Sequence, residues 1–189
     1  MAVKPLDMDR VTTYADTMRP LMQRATPADM ASGLAWYADA REIAVTISER
    51  MNVSVETGAA IIAALSPRMP WARNVVLALD MADGREVRAL GQSVRAAERA
   101  VAIYRDGGDP FDALGGPKTN AFARNIAGDM SAVTVDIWMM RAAGLSTDAP
   151  TIVQYREISA AIAMLAREYD MSPAAAQACL WTVVRGSAD

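Results

Sequence analysis

The strongest constraint on this chain is its punctuation: residues that start and stop helices recur from one end to the other, with apolar residues at helical spacing between them. Thr26-Pro27-Ala28-Asp29 supplies an N-cap, a proline suited to the first turn and an early carboxylate, which predicts a helix running to about Met51. Ser54 opens a second helix through Ala64, stopped by Ser66-Pro67, and Trp71 to Ala82 forms a third, closed by Gly84. Ser93 is expected to begin another, with Val94, Ala97, Val101 and Tyr104 on one stripe and Gly107-Gly108 at its end. Asp109-Pro110 starts a short turn, Gly115-Gly116-Pro117 breaks it, and Lys118 to Ala127 is helical up to Gly128. After the extended stretch Val133-Thr134-Val135, Asp136 caps a helix through Ala143 that Gly144 terminates. Ile152, Tyr155, Ile158, Ile162 and Leu165 mark a long amphipathic helix, and Ser172-Pro173 opens the last, which ends at Gly186. The first twenty residues read as a helix too, with Pro20 the residue that argues against it.

No stretch alternates as a strand would, no repeat recurs and nothing is low-complexity. With 189 residues, 52% of them hydrophobic, the chain can bury one substantial core, so the expected fold is all-α, one domain over residues 1–189. Its amino- and carboxy-terminal helices are expected to pack together as one half. The longest apolar runs, Gly58 to Leu65 and Ile158 to Leu165, are too short to span a bilayer, so no membrane association is expected. The start of the chain, with Lys4 and Asp7, lacks the pattern of a secretory signal, which predicts a cytoplasmic protein.

Two absences narrow the chemistry. The chain has no histidine, which removes serine-histidine triads, histidine bases and histidine-ligated metals, and its one cysteine, Cys179, cannot form an internal disulfide or a thiolate metal site. Chemistry must then run on carboxylates, lysine, tyrosine or the backbone, and no metal or cofactor is implied. A net charge of −3 argues against a protein that coats nucleic acid unspecifically, while leaving room for a local basic patch.

The stretch that carries chemistry is Gly115-Gly116-Pro117-Lys118-Thr119-Asn120-Ala121, a glycine turn running straight into a helix whose free amides can hold a phosphate. It is followed by Val133-Thr134-Val135-Asp136-Ile137-Trp138, which places an aspartate at the next helix entrance. These segments resemble the core of the helix-hairpin-helix DNA glycosylase superfamily, especially the endonuclease III type. That family has a glycine hairpin, Lys-Thr-Ala-Asn opening a helix, and Val-Asp-Thr-His at the start of the next. Lys118 and Thr119 match, as do Val135 and Asp136, with the same lysine-to-aspartate spacing; Asn120-Ala121 reverses the family's order, and Trp138 stands in place of its histidine. Upstream, Ala64-Leu65-Ser66-Pro67-Arg68 is similar to a helix-ending Leu-Ser-x-Gln, with Arg68 for the glutamine. The likeness covers about residues 55–145.

The resemblance implies a helix-hairpin-helix, glycosylase-like multi-helix domain that binds DNA, flips a base and acts as a hydrolase on its N-glycosidic bond. By resemblance Asp136 would stabilise the cationic sugar and activate the attacking group, and Lys118 would attack C1′ to form a Schiff base. Gly115, Gly116 and Thr119 would hold backbone phosphate, while Arg68, Trp71 and Arg73 would fill the gap or grip the flanking strand. Bacteriophage relatives with this scaffold suggest a close variant, a transferase that modifies a DNA base. A third class is a non-catalytic protein binding DNA or a host protein, a class that the acidity favours. The residue-level alternatives stay open as well: Asp136 is also a good N-cap, Lys118 a typical surface lysine, and Arg68 and Arg73 ordinary loop residues. Trp36-Tyr37 and Trp181 fit helix packing as well as base stacking, the thirteen methionines fit gap filling, and Asn120 and Asn125 fit helix support.

Overall fold

The computed structural model describes residues 5–186, with residues 33 and 34 described by backbone alone. Among the described residues all regular structure is helical: α1 (Met8–Arg24), α2 (Pro27–Met51), α3 (Val55–Leu65), α4 (Trp71–Ala82), α5 (Gly91–Arg105), a 3-10 turn (Pro110–Ala113), α6 (Pro117–Ala127), α7 (Ile137–Ala142), α8 (Ile152–Glu168) and α9 (Pro173–Arg185). None of these helices is long and apolar enough to cross a membrane. The chain divides into two compact units, one made of residues up to Trp36 and from Met130 onward, the other of residues from Tyr37 to Asp129.

In the first unit the two ends of the chain meet, with α1 lying against α8 and α9, and α7 against α9. The stripe Val11, Ala15, Met18, Met22 on α1 faces Tyr155, Ile158, Ile162 and Leu165 on α8, and Met139, Met140, Cys179 and Leu180 complete the core. Each large side chain in this set contributes roughly 1.5–3 kcal/mol by leaving water. Burial pushes the Cys179 thiol up to about 11, as expected of a packing residue with no reactive role. Pro20 does not end α1, although it removes one helical amide. Met18 and Met22, buried on either side of it, and the fork in which Arg19 Nε and Nη2 each donate at 2.9 Å to Glu168 on α8 hold the helix through that point.

The second unit is organised around α3, in which Thr57 through Leu65 are all buried. A helix covered on every side is a core helix, and its small residues let its neighbours come close. Ala60 and Ala63 pack with Ala100 of α5, Ala123 of α6 and the ring of Phe111. At the other end of α3, a Cβ on Gly58 would sit 2.3 Å from the carbonyl oxygen of Ala44 on α2. The carboxy-terminal end of α3 is closed by Asn74, which donates to the Ile62 carbonyl at 3.1 Å, and by the Ser66 hydroxyl, which donates to Ala63 at 2.8 Å. Helix α5 begins at Gly91, before the expected Ser93, because Leu90 supplies the capping carbonyl and Ser93 turns inward to be buried.

Gly58→Ala is therefore expected to destabilise the protein by about 1–3 kcal/mol, since backbone must give way to the added methyl. Urea unfolding checks this, and an unchanged midpoint would show that α2 and α3 are not in backbone contact.

Candidate functional site

The extended stretch before α7 is held from outside its own sequence. The phenol of Tyr155 on α8 donates to the Val133 carbonyl at 2.7 Å and accepts from the Val135 amide at 3.3 Å, so one side chain satisfies two backbone groups that have no strand partner. Burial pushes the Tyr155 phenol up to about 12, helped by the nearby Asp136 carboxylate and opposed by the bond from Val135.

Asp136 follows directly and caps α7. Its Oδ1 accepts from the amides of Trp138 at 2.9 Å and Met139 at 3.0 Å. In a helix of six residues, where the first four amides have no internal partner, that cap satisfies a large part of the demand. Its other oxygen, Oδ2, accepts from the indole Nε1 of Trp181 on α9 at 3.1 Å. The carboxylate is thus fixed in orientation by its own helix and by α9, and Asp136 remains partly exposed. The two tryptophans around it are partly buried against the core, and each carries a guanidinium on its ring: Arg141 lies 4.7 Å from the centre of Trp138, Arg185 4.6 Å from that of Trp181.

The other residues singled out from sequence lie in the second unit. Gly116 is the N-cap of α6 with φ 82 and ψ 156, a conformation that essentially only glycine adopts, and Pro117 occupies the first turn. A Cβ at Gly115 or Gly116 would meet nothing within 4 Å, so the turn is open on its outer side. Lys118 is exposed on the first turn and Thr119 half-buried behind it. The turn is braced from within: Asn120 donates to the Phe111 carbonyl at 3.3 Å and accepts from Arg124 Nε at 2.8 Å, and Arg124 stacks 4.9 Å over the Phe111 ring. Asn125 serves structure in the same way, donating to the Asp129 carbonyl at 2.9 Å.

Arg68 is exposed and left-handed, with φ 61, in the turn that joins α3 to α4. Trp71 and Arg73 belong to the first turn of α4, the helix expected to begin at Trp71, so Arg73 is not the loop residue that was its alternative reading. Asp136 and Lys118, paired by the sequence motif, stand in different units. Sequence reasoning left Trp181 open between packing and base stacking, read Tyr155 only as part of an apolar stripe, and gave Arg141 and Arg185 no role, because helical spacing does not say which group a side chain will meet. The described residues contain no group of three or more Cys, Asp or Glu able to hold a metal.

The chain belongs to a family of unknown function, DUF7178, whose model matches residues 2–188. No curated protein and no solved structure matches it significantly.

Tyr155 yields a test of this geometry. Its ordinary value is 10.0 and its folded value about 12, so the folded state holds the phenolic proton more tightly than the unfolded chain does. The associated stability is complete below pH 10 and is lost as pH rises from there towards 12. Tyrosinate absorbance should contain a late-titrating contribution from Tyr155, and Tyr155→Phe should remove it. The variant should also lose about 1–3 kcal/mol for the backbone groups it strands. A late step that survives in the variant would remove Tyr155 from its place beneath the extended segment.

Proposed function

We propose that this protein acts on DNA at the bond joining a base to its sugar, on a scaffold of the helix-hairpin-helix glycosylase kind, with Asp136 as the reacting carboxylate. The observation that carries the proposal is the state of Asp136. It heads α7 after an extended approach, as the motif requires, and its oxygens are fixed by three donors while the residue stays accessible. A carboxylate aimed by its surroundings can stabilise developing positive charge without reorganising at the moment of reaction.

The reaction follows from that placement. The target base leaves the stack, and its C1′–N bond lengthens, the electron pair departing with the base. Positive charge grows on the sugar opposite Asp136. Water adds its oxygen to C1′, and the proton it sheds passes by way of the carboxylate to the released base. Water is the nucleophile in this scheme, because an amine nucleophile needs desolvation and Lys118 is exposed. With Thr119 and the open Gly115-Gly116 turn, Lys118 suits a phosphate contact instead.

A second reading is favoured by the same bonds. A carboxylate that caps a short helix and ties it to α9 accounts for itself as structure, and the protein would then be a non-catalytic binder of DNA or of another protein.

Asp136→Asn separates the two, since asparagine is as good a cap but carries no charge. Free base is measured by mass spectrometry after incubation with duplex and single-stranded DNA carrying damaged and modified bases. Release by the wild type is expected, falling on the order of 100- to 10,000-fold in the variant. No release from any substrate by folded wild type would overturn the reaction, and a mass gain on the DNA in place of base loss would identify a base-modifying transferase.

A further inference from the structure

Three guanidinium groups lie over aromatic rings among the described residues, and they differ in what else they do. Arg124 is fully engaged, donating to Asn120 and lying 3.8 Å from Asp109. Arg141 and Arg185 make no hydrogen bond and no ion pair among the described residues, and both are exposed. Their stacking on Trp138 and Trp181 restricts the side chains without consuming a single N–H. Each therefore presents a cation laid on a ring, with all five donors unspent among the described residues.

Both platforms belong to the surroundings of one carboxylate. Trp138 gives its amide to Asp136 Oδ1, and Trp181 gives its indole N–H to Oδ2. In an acidic chain of net charge −3, two cations with no ion pair among the described residues thus lie on the two tryptophans that bond the partly exposed Asp136. The outer face of a guanidinium stacks on a nucleobase, and its edge takes phosphate oxygens in a fork. A paired duplex buries its base faces, so a site built of such platforms suits an unpaired strand.

Resting on the DNA-directed reading above, we propose that Arg141 and Arg185, laid on Trp138 and Trp181, grip an unpaired nucleic-acid segment and present its sugar to Asp136. The ligand class is single-stranded or locally unpaired polynucleotide, held by phosphate contacts and base–guanidinium stacking. Trp138 and Trp181 hold the two arginines, and Trp181 is also a positioning residue for the carboxylate.

The probe is a fluorescein-labelled oligothymidylate, its binding followed by anisotropy over a salt series. The full-length wild type is compared with Arg141→Gln/Arg185→Gln and Arg141→Lys/Arg185→Lys, all surface changes whose folding is checked by circular dichroism. The glutamine pair is expected to bind at least about tenfold more weakly and to lose about 0.7 of salt slope for each phosphate contact removed. The lysine pair keeps the charge but loses the plane, so it should retain the salt slope while binding more weakly than wild type.

Equal binding by wild type and the glutamine pair would overturn the proposal, as would wild-type binding to an oligoglutamate peptide as tight as to the oligonucleotide, or no oligonucleotide binding at all. Base release, measured separately, keeps the two ideas apart. Release by wild type with an unimpaired glutamine pair would sink the grip and leave the reaction standing. Weakened binding in the glutamine pair without any release by wild type would support the grip and sink the reaction.

Discussion

The carboxylate of Asp136 is where the first unit's local and long-range structure meet. Helix α7 has six residues, too few to support itself through its own hydrogen bonds, and Asp136 completes its first turn while accepting a bond from Trp181 on α9. Among the described residues no strand accompanies the segment leading to Asp136, and the Tyr155 phenol of α8 bonds its Val133 and Val135 backbone. Two helices distant in sequence thus fix the direction in which one charged group points. Such outer support distinguishes a preorganised carboxylate from a residue that happens to lie near the surface.

The two units are stabilised in different ways. The second unit uses small residues, with α3 buried throughout and Gly58, Ala60 and Ala63 letting neighbouring backbones approach. Close packing of that kind resists added volume and leaves little room for polar chemistry inside. The first unit packs methionine, isoleucine and leucine together with Tyr155, and Trp138 and Trp181 lie partly buried against that core. The indoles of Trp138 and Trp181 pack against the core and each lies under an arginine, an arrangement that is rigid where it is buried and polar where it is exposed.

Most of the helical framework was legible in the sequence, because caps are local chemistry. Ser54, Asp109, Asp136 and Ser172 each accept a backbone amide at the helix start that their position suggested. Where local signals conflicted, packing decided: Pro20 sits inside α1 between buried methionines, in keeping with the helix expected there, whereas Ser93 is drawn inward and Leu90 starts α5 ahead of the expected cap. Asp136 and the glycine turn before Lys118 were legible as candidates because the motif is contiguous. Tyr155, Arg141 and Arg185 were not, and Trp181 was left open between packing and base stacking, since nothing in their spacing says which backbone group, carboxylate or ring each will meet once the helices pack. Trp181 has the same helical context as any core tryptophan, and only its bond to Asp136 sets it apart.

The four tryptophans provide an internal comparison for whether the surroundings of Asp136 are the ligand site. In a 1H–15N spectrum, each of Trp36, Trp71, Trp138 and Trp181 gives one indole resonance, assignable by substitution. The decisive measurement is a titration of the protein with a short oligothymidylate, following those resonances. Progressive shifts of Trp138 and Trp181 are the expected result. Shifts at Trp71 with Trp138 and Trp181 unchanged would place nucleic acid on the second unit and contradict the assignment of Asp136 to the site.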